Sequence, residues 1–492
     1  MAVIDARAAA DAATEVTGPS RAALANELRA ALGEDRVRTG PTELGVYRRD
    51  GSELRGAASI VCFPRSTDEV QCCVQAARRH GVPFVARGSG TGLSGGAVPL
   101  HGALVIVTTK MDEILSVDLD ARLAWVEPGV LNADLSRRLA AHGVHYAPDP
   151  SSQQSCSIGG NVATNAGGPH CLAYGVTAMH VLAVEVVLPD GSVAVLGGEE
   201  PEPVGLDLRG AFVGGEGMLG IATRICVRLT QDPPEVRTMV LDFERVEDGA
   251  ATVSAVIAAG VLPAALEMMD ARITQAVEAY VHAGFPSDAE AILIVELDGL
   301  HHAVEASAAT VAAIGRARGA RHVRVAADET ERALIWKGRK SAFGALARIK
   351  PNYYLHDTVV PRRALVEVLA QVYEIAARHE LIVMNVFHAG DGNLHPLLVF
   401  DRREVGVMER VHAAGDEIVR ASVAAGGVLS GEHGIGLEKR DLMPLLFSAD
   451  DLDAQARLRE AFDVDGLANP EKVLPAGSRC GDLQHAPAGA WI

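Results

Sequence analysis

No C-x-x-C spacing occurs in this sequence, which leaves no ladder of cysteines for a zinc ribbon or an iron–sulfur cluster. The seven cysteines are scattered at Cys62, Cys72, Cys73, Cys156, Cys171, Cys226 and Cys480. An odd count with one adjacent pair suits reduced thiols in a cytosol, so a cytoplasmic location is expected. The opening stretch, MAVIDARAAADAATEV, lacks a basic n-region and acquires acids at once, unlike a secretory signal. A run of about 18 uncharged apolar residues is missing too, which argues against an integral membrane segment. Positive charge is scarce: the formal net charge of −18 argues against a nucleic-acid partner. Proline-rich tracts, like-charge blocks and internal repeats are absent, so nothing points to long disordered segments. What remains is a chain of 492 residues, enough for roughly two to four domains with a sizeable core.

Glycine, by contrast, is concentrated. Arg87 to Pro99 reads RGSGTGLSGGAVP, with Gly88, Gly90, Gly92, Gly95 and Gly96 inside nine residues. Backbone so bare of side chains can converge its N–H groups on an anion, and Arg87, Ser89, Thr91 and Ser94 add donors. A pyrophosphate cradle competes here with a flexible surface loop, and a second glycine-rich stretch favours the cradle. The pattern G-x-G-x-x-G occurs at Gly90, Gly92 and Gly95 and again at Gly215, Gly217 and Gly220. Neither match opens a helix. Pro99 and the strand-like Leu104–Val107 follow the first, and the alternating Ile221–Leu229 follows the second. A nicotinamide cofactor on a doubly wound sheet is therefore the weaker reading.

Along the chain, Ala22–Leu32 has helical spacing and a short Tyr47–Asp50 element follows. From Ala57 the pattern is α+β. Pro83–Val85, Ile60–Phe63, Leu104–Val107 and Leu123–Val126 read as strands. Thr67 is expected to cap a helix whose apolar positions are Val70, Cys73, Val74 and Ala77, and Asn132 to cap one carrying Leu135 and Leu139. Pro-Asp-Gly between Val181–Leu188 and Ser192–Leu196 signals a hairpin. After about residue 235 the texture changes. Helical patterns such as Ala250–Ala259 and Arg363–Arg378 alternate with strands such as Ala291–Glu296, as in a second α+β domain.

Two segments carry chemistry. In Phe387–Pro396, FHAGDGNLHP, the run Gly390-Asp391-Gly392-Asn393 is turn chemistry between short β runs. A hairpin centred on Asp391–Gly392 sets His388 opposite His395, with Cβ atoms about 4.5–5.5 Å apart. Two imidazoles at that spacing either share a metal ion or point at solvent. In Ser430-Gly431-Glu432-His433-Gly434-Ile435-Gly436, a carboxylate and an imidazole stand side by side among glycines. Glu432 is either a third ligand, completing a His₂-carboxylate set with open positions, or a surface charge. His433 is then a candidate general base.

RGSGTGLSGGAVP, PDPSSQQSCSIGGNVATNAGG (Pro148–Gly168) and GGEGMLGIAT (Gly214–Thr223) resemble the FAD-binding domain of the vanillyl-alcohol oxidase/p-cresol methylhydroxylase flavoproteins. The likeness implies an α+β, two-domain flavoprotein: an FAD-binding domain over 1–235 with a helical lead-in to about 55, a substrate (cap) domain over 236–440, and a segment 441–492 returning to the FAD domain through Phe462-Asp463, Asn469-Pro470 and Lys472. It implies FAD contacts from Arg87, Gly88, Ser89, Gly90, Thr91, Gly92, Leu93, Ser94, Pro150, Ser151, Gly159, Gly160, Asn161, Thr164, Gly167, Gly168, Glu216, Gly220, Ile221 and Asn469. The glycine loop holds no His or Cys, so non-covalent FAD is favoured.

The C-terminal motifs are similar to those of the FAD-dependent 2-hydroxy-acid dehydrogenases within that superfamily. The resemblance implies a divalent metal (zinc, manganese or iron) on His388, His395 and Glu432, with His433 as the base. Trp336-Lys337-Gly338-Arg339-Lys340-Ser341 matches the region where relatives set an Arg on the substrate carboxylate, which would be Arg339; a solvated helix charge is the alternative. Relatives acting on 2-hydroxyglutarate carry an Asn two residues after the second metal His. Leu397 stands there instead, favouring a small monocarboxylate such as glycolate or D-lactate. As partners, the resemblance implies an iron–sulfur electron-acceptor subunit and a second flavin-domain subunit, which would set the chain at the inner face of the membrane. The rivals are a larger D-2-hydroxy acid as substrate, a non-redox flavoprotein of the alkyl-ether-lipid synthase type, and a non-catalytic subunit of a larger oxidase.

Overall fold

The chain sorts into two units and passes between them four times, as a computed structural model describing residues 18–475 apart from Pro201 and Pro203 shows. The first unit takes the residues up to 167, 176–231 and those from 432 onward; the second takes 168–175 and 232–431. The main breaks thus fall at Asp232 and Glu432, where the family likeness implied 236 and 441. The eight residues 168–175 join the second unit. Cys480 and the opening stretch lie outside the described residues.

In the first unit, Ala58–Cys62, Ala103–Val107 and Phe84–Arg87 pair in parallel, with Val37–Arg38 antiparallel on the outside. Helix Thr67–Arg79 packs on them through Val70, Cys73, Val74 and Ala77, all buried, as the spacing predicts. Its cap is Ser66, not Thr67. The Ser66 side chain accepts from the Glu69 N–H, while the Thr67 hydroxyl reaches across to Glu185. A five-stranded antiparallel sheet follows, ordered Ile114–Asp118, Leu123–Val126, Ile221–Arg228, Val181–Val187, Val193–Gly197. The Pro-Asp-Gly hairpin is its last pair. Asn132 opens helix Asn132–Leu139 without capping it, because its amide is drawn to the Pro148 carbonyl (2.9 Å) and Asn161 Oδ1 (3.0 Å).

The second unit is a nine-stranded antiparallel sheet. Its central strands are Glu235–Phe243, Ala291–Gly299, Ala265–Asp270 and Ile382–His388. Alternation along them divides the side chains. Leu241, Leu266, Met268, Leu293, Val295, Val383 and Phe387 face helices Val246–Ala258, His301–Ala317, Leu365–Arg378 and Val407–Ala424, and together these form the main core. The opposite face carries Glu267, Glu296 and His388, charges where an apolar strand would be expected. Glu296, 2% exposed, accepts from His170 Nε2 (3.1 Å), Thr238 Oγ1 (2.5 Å), Arg332 Nε and Nη2 (3.0 Å each) and Trp336 Nε1 (2.5 Å). Burial pushes its carboxyl up, but His170 and Arg332 outweigh it and hold it far below the usual range. With the Tyr174–Asp298 bond, this carboxylate fastens segment 168–175 into the unit. Among the described residues, no helix is long and apolar enough to cross a membrane.

Candidate functional site

The glycine-rich loop of the first unit leaves strand Phe84–Arg87 and runs without regular structure to residue 99. A Cβ built on Gly88 would stand 2.2 Å from Ser157 Oγ. Only glycine lets this backbone lie against the Ser157–Gly160 turn, where Ser157 caps helix Ile158–Thr164. Gly159 in turn lies against Pro128, where a Cβ would meet the ring at 2.6 Å. Two stretches of almost bare backbone therefore converge, an arrangement that fits the phosphates of a dinucleotide. The expected contact residues divide in use. Arg87 turns its guanidinium under the loop, donating to the Arg49 carbonyl (2.8 Å) and lying over the Tyr47 ring. Asn161 ties down the framework through Asn132 and Cys156. Asn469 donates to the Gly96 and Glu216 carbonyls (2.8 and 2.6 Å), clasping the returning segment.

Ser94 and Glu216 hold the loop that bears Glu432 and His433. Ser94 Oγ donates to the His433 carbonyl (2.8 Å), and the Ser94 carbonyl accepts from the Leu437 and Glu438 N–H groups (2.9 and 3.2 Å). Glu216 Oε1 accepts from the Ile435 and Gly436 N–H groups (2.7 and 3.1 Å). A Cβ on Gly436 would sit 2.1 Å from the Ser94 carbonyl oxygen at a φ of +53°, so the close approach requires glycine. The His433 and Glu432 side chains stay 12% and 13% exposed, with Nε2 and Oε1 3.8 Å apart.

Burial pushes the Glu216 carboxyl from 4.5 up to about 7, against the two backbone donors and Lys472. A raised carboxyl contributes stability that is complete below its unfolded value and is lost as pH rises through its folded one. The loss therefore runs from 4.5 to about 7. Glu216→Gln keeps an acceptor for Ile435 and Gly436 without titrating. The difference in Tm, variant minus wild type, should accordingly rise between about pH 5 and about pH 8. Thermal melts at the two pH values check it, and a constant difference counts against the assignment.

In the second unit, His388 pairs in register with Asn393, not His395. The turn takes four residues, Ala389 to Gly392, which shifts the pairing by two positions. A shift of two preserves the face, so the imidazoles still meet as diagonal neighbours. Their ring centroids are 5.0 Å apart at 86°, and both residues are 3% exposed. They point inward, not to solvent. Each has a buried carboxylate behind it. Glu267, paired in register with His388, lies 2.8 Å from its Nδ1, and Asp357 Oδ1 lies 3.9 Å from His395 Nδ1. Asp357 accepts hydrogen bonds from Ser430 Oγ (2.5 Å) and the Gly431 N–H (3.0 Å), fixing the residues just before Glu432. Paired buried imidazoles backed by carboxylates are the donor chemistry of a metal centre.

Arg339 differs from expectation. It is 1% exposed and its Nη2 lies 2.5 Å from Glu267 Oε2, so a carboxylate of the chain itself already meets the guanidinium. Burial pushes the Glu267 carboxyl up, yet His388 and Arg339 outweigh it and hold it below the ordinary carboxylate range. Leu397 is fully buried in strand Pro396–Phe400. Glu267, Asp357 and Glu216's loop contacts escaped the sequence reading. The available signal was an acid in the middle of an apolar strand, as Glu267 is in ALEMMD over Ala265–Asp270.

Residues 58–197 match the FAD binding domain, and residues 232–473 match the C-terminal domain of FAD linked oxidases. The chain is 45% identical over 442 residues to the glycolate oxidase subunit GlcD of Escherichia coli, covering 90% of this chain and 89% of that one. It is 30% identical to a D-lactate dehydrogenase of Anaerostipes hadrus, covering 88% and 91%. The solved structure of p-cresol methylhydroxylase with substrate bound aligns with a TM-score of 0.78 over 92% of this chain and 96% of that one. At 17% identity, that likeness speaks for the fold alone.

Proposed function

The chain belongs to the FAD-linked oxidases, and from that membership we propose that it oxidises a small 2-hydroxy acid, glycolate or D-lactate, to the 2-oxo acid. Relatives similar along nearly the whole chain bear the names glycolate oxidase subunit and D-lactate dehydrogenase. The observation that carries the reading further is the pair of buried imidazoles, His388 and His395, each backed by a carboxylate. A non-redox use of the flavin gives such a pair no task.

FAD, when bound along the glycine-rich stretches, supplies the hydride acceptor. His388, His395 and Glu432 would hold a divalent ion, which would supply Lewis-acid polarisation of the substrate oxygen. His433 takes the hydroxyl proton onto a ring nitrogen, and its anchored loop holds that nitrogen in one position. General-base help of this kind is worth about 10²–10⁴ in rate. The leucine at 397 gives a second substrate carboxylate no polar partner, which favours monocarboxylates.

The test is steady-state turnover of the purified chain with an artificial dye. The protein should be yellow, release FAD on acid precipitation, and reduce the dye with glycolate or D-lactate at a higher kcat/KM than with 2-hydroxyglutarate. Correctly folded, FAD-loaded protein that turns over none of them would overturn the reading. The natural acceptor is proposed to be a separate iron–sulfur subunit, since the cysteines here form no cluster motif and a close relative is named as a subunit. The isolated chain should then reduce dyes well and oxygen slowly, and fast peroxide production would make it a self-sufficient oxidase.

A further inference from the structure

Glu267, like Asp357, is a fully buried acid beside the histidine pair, at 0% exposed. Backbone register sets it there: Glu267 is the cross-strand partner of His388, so both side chains leave the sheet on one face. Its two oxygens do different work. Oε1 meets His388 Nδ1 at 2.8 Å, and Oε2 meets Arg339 Nη2 at 2.5 Å. Arg339 comes from helix Glu329–Lys340 and is itself 1% exposed.

An ionised carboxylate only accepts, so the nitrogen facing Glu267 must carry the proton. That fixes His388 as the Nδ1–H tautomer and leaves the lone pair on Nε2. Without the carboxylate, a neutral imidazole exchanges its proton between the two nitrogens and turns about its side-chain bonds. Arg339 supplies the counter-charge that keeps Glu267 ionised in a dry interior, where a lone carboxylate is strongly disfavoured.

We infer that Glu267, held by Arg339, is a positioning residue that locks the His388 ring and tautomer and presents Nε2 as a metal ligand. The inference rests on the proposed metal-assisted oxidation, and it gives Arg339 a task on Glu267 through Nη2 that leaves its other N–H donors for the substrate carboxylate.

Three variants test it, read by two site measurements and by the Tm. Glu267→Gln keeps the shape but removes the charge and turns an amide NH₂ toward Arg339 or His388. Arg339→Met with Glu267→Gln removes both charges and restores packing. Glu267→Asp keeps the charge on a shorter stem. The first measurement is the His388 tautomer in metal-free protein, read from ring-¹⁵N shifts of labelled histidine. The second is the affinity for Zn²⁺ and Co²⁺, by competition with a chromophoric chelator. Wild type should show Nδ1–H at His388. Glu267→Gln and the double variant should lose that single tautomer and bind metal roughly 10–100-fold more weakly. The double variant should regain the wild-type Tm without regaining affinity, and Glu267→Asp should recover part of the affinity. A merely structural role would return affinity together with Tm.

An Nε2–H tautomer in wild type overturns the inference, as does wild-type metal affinity in the double variant. A wild type that binds no metal yet turns over glycolate overturns the metal-assisted reading instead, with the tautomer still judging Glu267.

Discussion

His433→Asn should lower kcat by roughly 10²–10⁴ while the protein keeps its FAD and the proposed metal. The size follows from removing a proton acceptor that acts in the transition state. The retention follows from how the loop is held. Ser94 binds the His433 carbonyl, and Glu216 binds the Ile435 and Gly436 N–H groups, so backbone contacts anchor the loop. Asn fits the space of an imidazole that is 12% exposed and disturbs none of these bonds. Flavin absorbance and elemental analysis establish the contents, and dye-coupled turnover gives the rate. The acidic limb of kcat/KM, which reports an essential base in the free enzyme, should be present in wild type and vanish in the variant. Wild-type turnover by a metal-loaded His433→Asn protein would send the proton to another group.

Removing the proposed metal should cost nearly as much. His388→Ala deletes one of two imidazoles whose ring centroids lie 5.0 Å apart. If polarisation of the substrate oxygen is worth about 3–4 kcal/mol, the expected fall in kcat is roughly 10²–10³. The same variant leaves the Glu267 carboxylate with Arg339 as partner but without its imidazole donor, so the protein should also melt earlier. Chelation separates the two effects. Treating wild type with a strong chelator should reproduce the loss of turnover, and added divalent ion should restore it, with about one metal per chain at full activity. Glu432→Gln should lose its metal first, and excess metal should recover part of the rate. Full activity in metal-free His388→Ala would refute the metal centre.

Local signals carried much of this fold. Helix Thr67–Arg79 buries the four apolar positions its spacing picked out, and the Pro-Asp-Gly hairpin forms where its residues indicate. Both depend on neighbours within a few residues. The misses depend on partners far away. Thr67 lost the cap to Ser66 because its hydroxyl is drawn to Glu185, 118 residues on. Asn132 left its capping role for the Pro148 carbonyl and Asn161. The histidine pair was legible although its register was not, because a slip of two leaves a side chain on its own face. Arg339 was visible as a special residue, but its partner was not. Glu267 reaches it only through a strand pairing that no spacing rule reveals. The segment 168–175 reads as one more glycine-containing loop. Its attachment to the second unit depends on Glu296, a residue 126 positions from His170.

The three-part composition of the first unit has a consequence for how the protein is made. Lys472 Nζ is bonded to the Val98 carbonyl and Asn469 Nδ2 to the Gly96 carbonyl, contacts spanning 374 and 373 residues. A ribosome adding roughly 5–20 residues per second exposes the glycine loop about 20–75 s before those closing groups emerge. Through that interval the second unit, whose strands lie within 232–431, is translated whole and is able to fold first, although it comes later in the chain. The second unit can thus be completed before the first, the reverse of the order in which the two begin. Through that interval the glycine loop has neither of its closing partners, Lys472 and Asn469.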